Sequence, residues 1–234
     1  DNTTGVSNVA IGYSALKSTL EVHYNTAVGY YALYTNTAGT ENTAVGKTAL
    51  TSNTDGDNNT AIGNNALYGN TTGIYNTAIG SNAHQLGVSG RYNVSVGHRA
   101  MYSAVDADYS VALGYNALAE AEGDYNIGIG QGAGQIIDSG TYNVCMGSQA
   151  GDSITSGTHN TCIGTSSDAA AAVNNQLAVG YAATVTGQYG IAIGNQVVAA
   201  TNDFSFGKLS NVVTNDFDAD ADWSRSSDVR LKRN

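Results

Sequence analysis

The chain has 234 residues, a formal net charge of −10 and a pI near 4.5, and only 12% of its residues are charged, about half the usual share. An acidic chain without a basic stripe does not read as a nucleic-acid binder, and no run of eighteen apolar residues is available for membrane insertion. No signal peptide opens it, and Asp1 in place of an initiator methionine reads as a fragment or a processed product.

From its first residues the chain repeats itself. Gly12, Gly29, Gly46, Gly63, Gly80, Gly97 and Gly114 stand seventeen residues apart, and the series continues at Gly130, Gly147, Gly164, Gly180, Gly194 and Gly207 with steps of thirteen to seventeen. The residue before each glycine is large and apolar (Ile11, Val28, Val45, Ile62). The one before that is small (Ala10, Ala27, Ala44, Ala61), the third is mostly β-branched and the fourth is usually Asn. Such a run between Asn and Gly reads as a short strand whose alternate side chains face opposite ways. Neither the Ile/Val face nor the alanine face is polar, so both need cover. We take Ile/Val to face the inside of a coil and the alanines to face outward.

Ala recurs three residues after the glycine (Ala15, Ala32, Ala49), often followed by Leu, and predicts a second strand. Polar segments such as residues 35–41 then lead to the next coil. The expected fold is all-β: a parallel β-roll or solenoid of about thirteen mostly seventeen-residue coils, on the order of 60 Å long at ~4.8 Å per rung. One coil buries only small side chains. At ~25 cal/mol per Å² that does not offset ~1–2 kcal/mol of backbone entropy per residue. Neighbouring coils help, and the outward alanine stripe, allowing close approach about an axis, predicts a homotrimer.

A tyrosine recurs five residues before the glycine, at Tyr24, Tyr75, Tyr92, Tyr109, Tyr125, Tyr142 and Tyr189, with His159 in the same slot. Stacked coils would make these a ladder of rings. Exposed aromatics also suit sugar faces, so Tyr75, Tyr92, Tyr109, Tyr125 and Tyr142 are the candidate receptor contacts. The Asn column reads as an amide ladder. Cys145 and Cys162 hold the small position of adjacent coils and read as small hydrophobes. Stacked Cα atoms about 5 Å apart allow a disulfide by distance, though not obviously by side-chain direction.

No cofactor or metal is expected. His23, His84, His98 and His159 lack zinc spacing. Asp216, Asp218, Asp220 and Asp222 alternate, but Ala221 and Ser227 stand where a calcium loop needs Gly and Glu. There is no phosphate loop or nucleophile elbow, so no enzyme acting on a substrate is expected.

The Asn-Thr-Ala-Ile-Gly repeats over residues 5–207 resemble the left-handed parallel β-roll heads of trimeric autotransporter adhesins, and still more the repeats of phage tail fibres. The end, Ser226-Ser227-Asp228-Val229-Arg230-Leu231-Lys232-Arg233-Asn234, is similar to the opening of the endosialidase-type intramolecular chaperone domain. That resemblance implies a trimerising domain and self-cleavage between Ser227 and Asp228 in a full-length precursor, with Ser227 as nucleophile and Lys232 as base. It divides the chain into a β-roll shaft or head (1–207), a neck (208–226) and a chaperone stub (227–234). The implied function is a structural and adhesive segment of a trimeric virion tail fibre. Its partners would be two further copies of itself, other tail proteins and a host receptor, a glycan. A bacterial surface adhesin head is one alternative. An ice-binding β-solenoid, suggested by the column Thr26, Thr43, Thr60, Thr77, is another.

Overall fold

The computed structural model describes residues 5–17, 22–218 and the backbone of Ser224–Arg225. It is all-β, with no helix among the described residues. Ten three-residue strands run from β1 (Val9–Ile11) to β10 (Thr161–Ile163), each parallel to the next. The register is one repeat per rung: Ala27 pairs with Ala44, Ala44 with Ala61 and Cys145 with Cys162. A short pair, β11 (Asp168–Ala169) and β13 (Thr184–Val185), interleaves with β12 (Leu177–Val179), β14 (Ile191–Asn195) and β16 (Asp203–Lys208), which continue the first sheet. Thirteen parallel strands thus bound about twelve coils. The predicted parallel solenoid is what forms.

The facing of the strands is the reverse of the expectation. Ala27, Ala44, Ala61, Ala78 and Ala112 are fully buried inside the coils. The Ile/Val column looks outward, with Ile62, Ile79, Ile163 and Ile193 all 38–39% exposed. The reason is space. Leu33, Leu50 and Leu67, four residues past the glycine, are buried in the same interior, as are Ala32, Ala49 and Ala66. A lumen already holding leucine from one side admits only a methyl group from the other.

The second predicted strand also differs. In the seventeen-residue coils the segment after the glycine is a run of turns, with Tyr31 and Leu33 at φ of 56° and 48°. Only where the coils shorten does it straighten, and β11, β13 and β15 (Val198–Ala199) then form a second parallel sheet. The repeating glycine has one cause. Gly46 sits at φ 141°, and a Cβ there would fall onto the carbonyl oxygen of Gly63 in the next coil.

The lumen keeps a nearly constant filling by trading residues within each coil. Leu33, Leu50 and Leu67 are matched three residues on by Asn36, Asn53 and Asn70. His84 is matched by Gly87, Met101 by Ala104 and Leu118 by Ala121. Further on the order inverts, and Gly134 and Gly151 precede the buried Ile137 and Ile154. A Cβ on Gly87 would strike the His84 ring, and one on Gly151 would strike the side chains of Cys145 and Ile154.

Polar groups inside are paired along the rod. The Asn25 Oδ1 accepts the backbone N–H of Asn42 at 2.9 Å, and its Nδ2 donates to the Gly39 carbonyl at 3.0 Å. Asn42, Asn59, Asn76 and Asn93 repeat the pattern. A second internal ladder runs Asn36, Asn53, Asn70, with Nδ2–Oδ1 contacts of 2.9 and 2.8 Å. These bonds satisfy backbone groups that the tight turns leave unpaired. The parallel stack ends at β16, which turns back antiparallel into β17 (Asn211–Asp216), followed by β18 (Ser224–Arg225). The strand β17 falls in the stretch read as a neck.

Candidate binding surfaces

Two features run along the rod on its outside, one over its middle coils and one over its main sheet. The first is the tyrosine column. Tyr75, Tyr92, Tyr109, Tyr125 and Tyr142 stack face to face, with successive centroids 5.1, 4.9, 5.0 and 4.7 Å apart and planes within 8°. His159 continues the stack at 4.9 Å. Each tyrosine is about half exposed and sits at positive φ, from 54° to 59°. Left-handed backbone aims every ring along one line, and the rung spacing of about 4.8 Å falls at the centroid separation of offset-stacked rings. Burial of its surroundings, then the phenols of Tyr142 and Tyr109, raise the pKa of Tyr125 above the usual phenol value.

Stacking changes what the column offers. The faces of Tyr92, Tyr109 and Tyr125 are covered by their neighbours, so only ring edges and hydroxyls look outward. Within the stack an open ring face is left only at the two ends, where Asn58 and Asn175 hold the next slots; Tyr24 and Tyr189, in the same column, stand apart from it and are 60% and 57% exposed. Sequence spacing located the stack from Tyr75 to His159, but not the loss of the faces, and it wrongly extended the ladder to Tyr24 and Tyr189.

The second feature is the outward side of the main sheet. From Val9 to Ile193 the three strand positions of each rung contain no Asp, Glu, Lys or Arg. Thr26, Thr43, Thr60 and Thr77 share the outward side with Val28, Val45, Ile62 and Ile79. A continuous uncharged stripe on a chain with net charge −10 is far from an ordinary surface. The repeat showed both columns; the misassigned facing hid which of them reaches the outside.

The remaining sequence candidates are placed as follows. Ser227, Asp228 and Lys232 lie outside the described residues, as do Asp220 and Asp222. Cys145 and Cys162 are free, fully buried and paired in register. Burial pushes the Cys145 thiol up to about 12 and raises that of Cys162 as well. Such thiols are poor nucleophiles. His84, which spacing left as one of four scattered histidines, is fully buried, and its Nε2 lies 3.0 Å from the Ala104 carbonyl oxygen. Among the described residues no three His, Cys, Asp or Glu side chains gather as a metal site would require.

Compared with protein-family models, with curated proteins and with solved structures, the chain gives no match.

Proposed function

We propose that this chain is a structural and adhesive segment of a trimeric virion tail fibre that attaches to a host surface glycan. The observation that carries the reading is the uncharged Thr/Val/Ile stripe along the whole rod. A face of this kind, held open by a narrow rod, is best covered by the same face of identical chains running in the same direction. Three copies is the number implied by the resemblance of Ser226–Asn234 to the trimerising chaperone domain. With the alanines inside, the contact is made by Ile and Val rather than by small residues.

The test is sedimentation equilibrium of residues 1–234 and of an Ile62→Asp, Ile79→Asp variant. A trimer that the double variant dissociates into folded monomers, judged by unchanged circular dichroism, is the expected result. A wild-type monomer would sink the reading. A bacterial surface adhesin head would share this assembly, and the tail motif is what favours the virion; the gene sequence downstream of Asn234 separates the two.

One observation favours a second reading. The outward pairs Thr26/Val28, Thr43/Val45, Thr60/Ile62 and Thr77/Ile79 form a regular array on a parallel sheet, which suits an ice-binding solenoid. Val replaces Thr from Val94 to Val111 and again at Val144. Inhibition of ice recrystallisation by a monomer would favour this reading over the fibre.

A further inference from the structure

The tyrosine ladder holds five phenols in one repeated chemical relationship. The backbone N–H groups of Tyr92, Tyr109, Tyr125 and Tyr142 each donate to a carbonyl of the coil before, at 2.9–3.2 Å, so the bases of the rings are pinned rung to rung. The ring centroids follow at 4.7–5.1 Å, around the rung spacing of about 4.8 Å, with planes within 8°. Each ring is thus a copy of its neighbour moved one rung along the rod. The carbons ortho to one hydroxyl lie over the ortho carbons of the next.

The same rings are 41–50% exposed, so their hydroxyl edges are open to a reagent in solvent. Other tyrosines supply a comparison within the chain. Tyr181 and Tyr189 are more exposed, at 54% and 57%, and have no ring stacked on them among the described residues. Tyr13 and Tyr30 repeat the arrangement once, at 5.3 Å and 13°. A phenoxyl radical carries its unpaired electron in the π system, partly on the ortho carbons, so two such radicals join face to face. Stacking already supplies that approach.

We propose that the ladder is a site of oxidative cross-linking, at which tyrosines of neighbouring rungs are joined as dityrosine within one chain. The co-reactant is a one-electron oxidant of the haem peroxidase class, working with hydrogen peroxide. It takes one electron and one proton from each of two adjacent phenols. The two radicals pair their electrons in a carbon–carbon bond between ortho positions. The hydrogen on each joined carbon then moves, as a proton, to the ring oxygen, and both phenols are restored. In sum, two tyrosines and one peroxide give one dityrosine and two waters, and the chain loses two hydrogen atoms. Each bond ties residues sixteen or seventeen apart, which removes freedom from the unfolded chain and hardens the rod. This modification goes beyond the fibre reading and does not rest on it.

The test is oxidation of the assembled chain by a haem peroxidase and hydrogen peroxide. It is read by dityrosine fluorescence, by intact mass after denaturation and by mass spectrometry of linked peptides. The expected result is a loss of two hydrogens per bond, with linked peptides that join neighbours among Tyr75, Tyr92, Tyr109, Tyr125 and Tyr142. The yield of these links should fall about tenfold or more when the chain is oxidised in urea, where the rings meet only by chance. Tyr92→Phe with Tyr125→Phe keeps every ring in the stack but leaves no two adjacent phenols. Ladder links should then vanish, while circular dichroism is unchanged and the link between Tyr13 and Tyr30 persists. Ladder links undiminished in urea, ladder links surviving in the double variant, or coupling chiefly through the solitary Tyr181 and Tyr189 would each overturn the proposal, as would the absence of any loss of two hydrogens.

Discussion

The Nε2 of His84 lies 3.0 Å from the carbonyl oxygen of Ala104 in the next coil, while its Nδ1 has no partner inside the lumen. The ring is fully buried where the internal ladder of Asn36, Asn53 and Asn70 gives way to apolar residues. A neutral ring donating one proton to Ala104 fits this site, and an imidazolium does not.

A pH dependence follows. Burial lowers the folded-state pKa of His84 from 6.5 to about 4, against the smaller opposing pull of the Ala104 carbonyl. Between these values the unfolded chain binds the proton and the folded chain does not, so folding stability is complete above pH ~6.5 and falls as the pH drops towards 4. The loss contributed by this one group is about 3 kcal/mol. Urea midpoints at pH 7 and pH 4.5 should differ for the wild type, and the difference should shrink clearly in His84→Met, which copies Met101 of the next coil. An equal pH effect in the variant would show that other groups cause it.

The tyrosine ladder has a structural worth that can be measured apart from any receptor. Tyr109 lies between Tyr92 at 4.9 Å and Tyr125 at 5.0 Å. Tyr109→Ala removes both stacks and is expected to cost about 1–3 kcal/mol. It also leaves alanine at a φ of 54°. Tyr109→Asn loses the same stacks but suits the left-handed backbone, as Asn58 does in the same slot at 58°. It should cost less than Ala, while both variants lose the same near-ultraviolet dichroism. If neither variant shifts the urea midpoint, the rings are an outcome of the spacing and not a support.

How much of this was readable in the chain depends on which link is asked about. Period, register and the parallel sheet follow from the glycine spacing, because a glycine whose Cβ position is taken by the next rung cannot be replaced. The tyrosine ladder follows from the same count. Facing did not follow, because a strand with Ala on one side and Ile on the other is apolar on both. Only the lumen volume left by Leu33, Leu50 and Leu67 decides between them. The turns at Tyr31 and Leu33 were hidden for a related reason: nothing in an Ala-Leu pair announces left-handed backbone.

The cysteines allow a counting experiment. Both thiols are fully buried, and burial raises both above the ordinary thiol range. A maleimide at pH 8 should label neither in the folded protein and two per chain after unfolding without reductant. Labelling that appears only after reduction would mean a disulfide between the paired rungs.

The trade of volumes inside the lumen predicts a sharper effect. Gly151 stands where other coils have leucine, and the space it leaves is taken by Cys145 and Ile154. Gly151→Leu alone should overpack the coil and destabilise by about 1–3 kcal/mol, although leucine is at ease at this backbone position elsewhere in the rod. Ile154→Ala alone should open a void at a cost of about 2–5 kcal/mol. Cys145→Ala, Gly151→Leu and Ile154→Ala together rebuild the set already present as Ala112, Leu118 and Ala121 two coils earlier. The triple variant should therefore be more stable than the sum of the single changes by more than about 2 kcal/mol, read from urea midpoints. Additive losses would mean that each coil tolerates its own filling and that the matched pairs along the rod are coincidental.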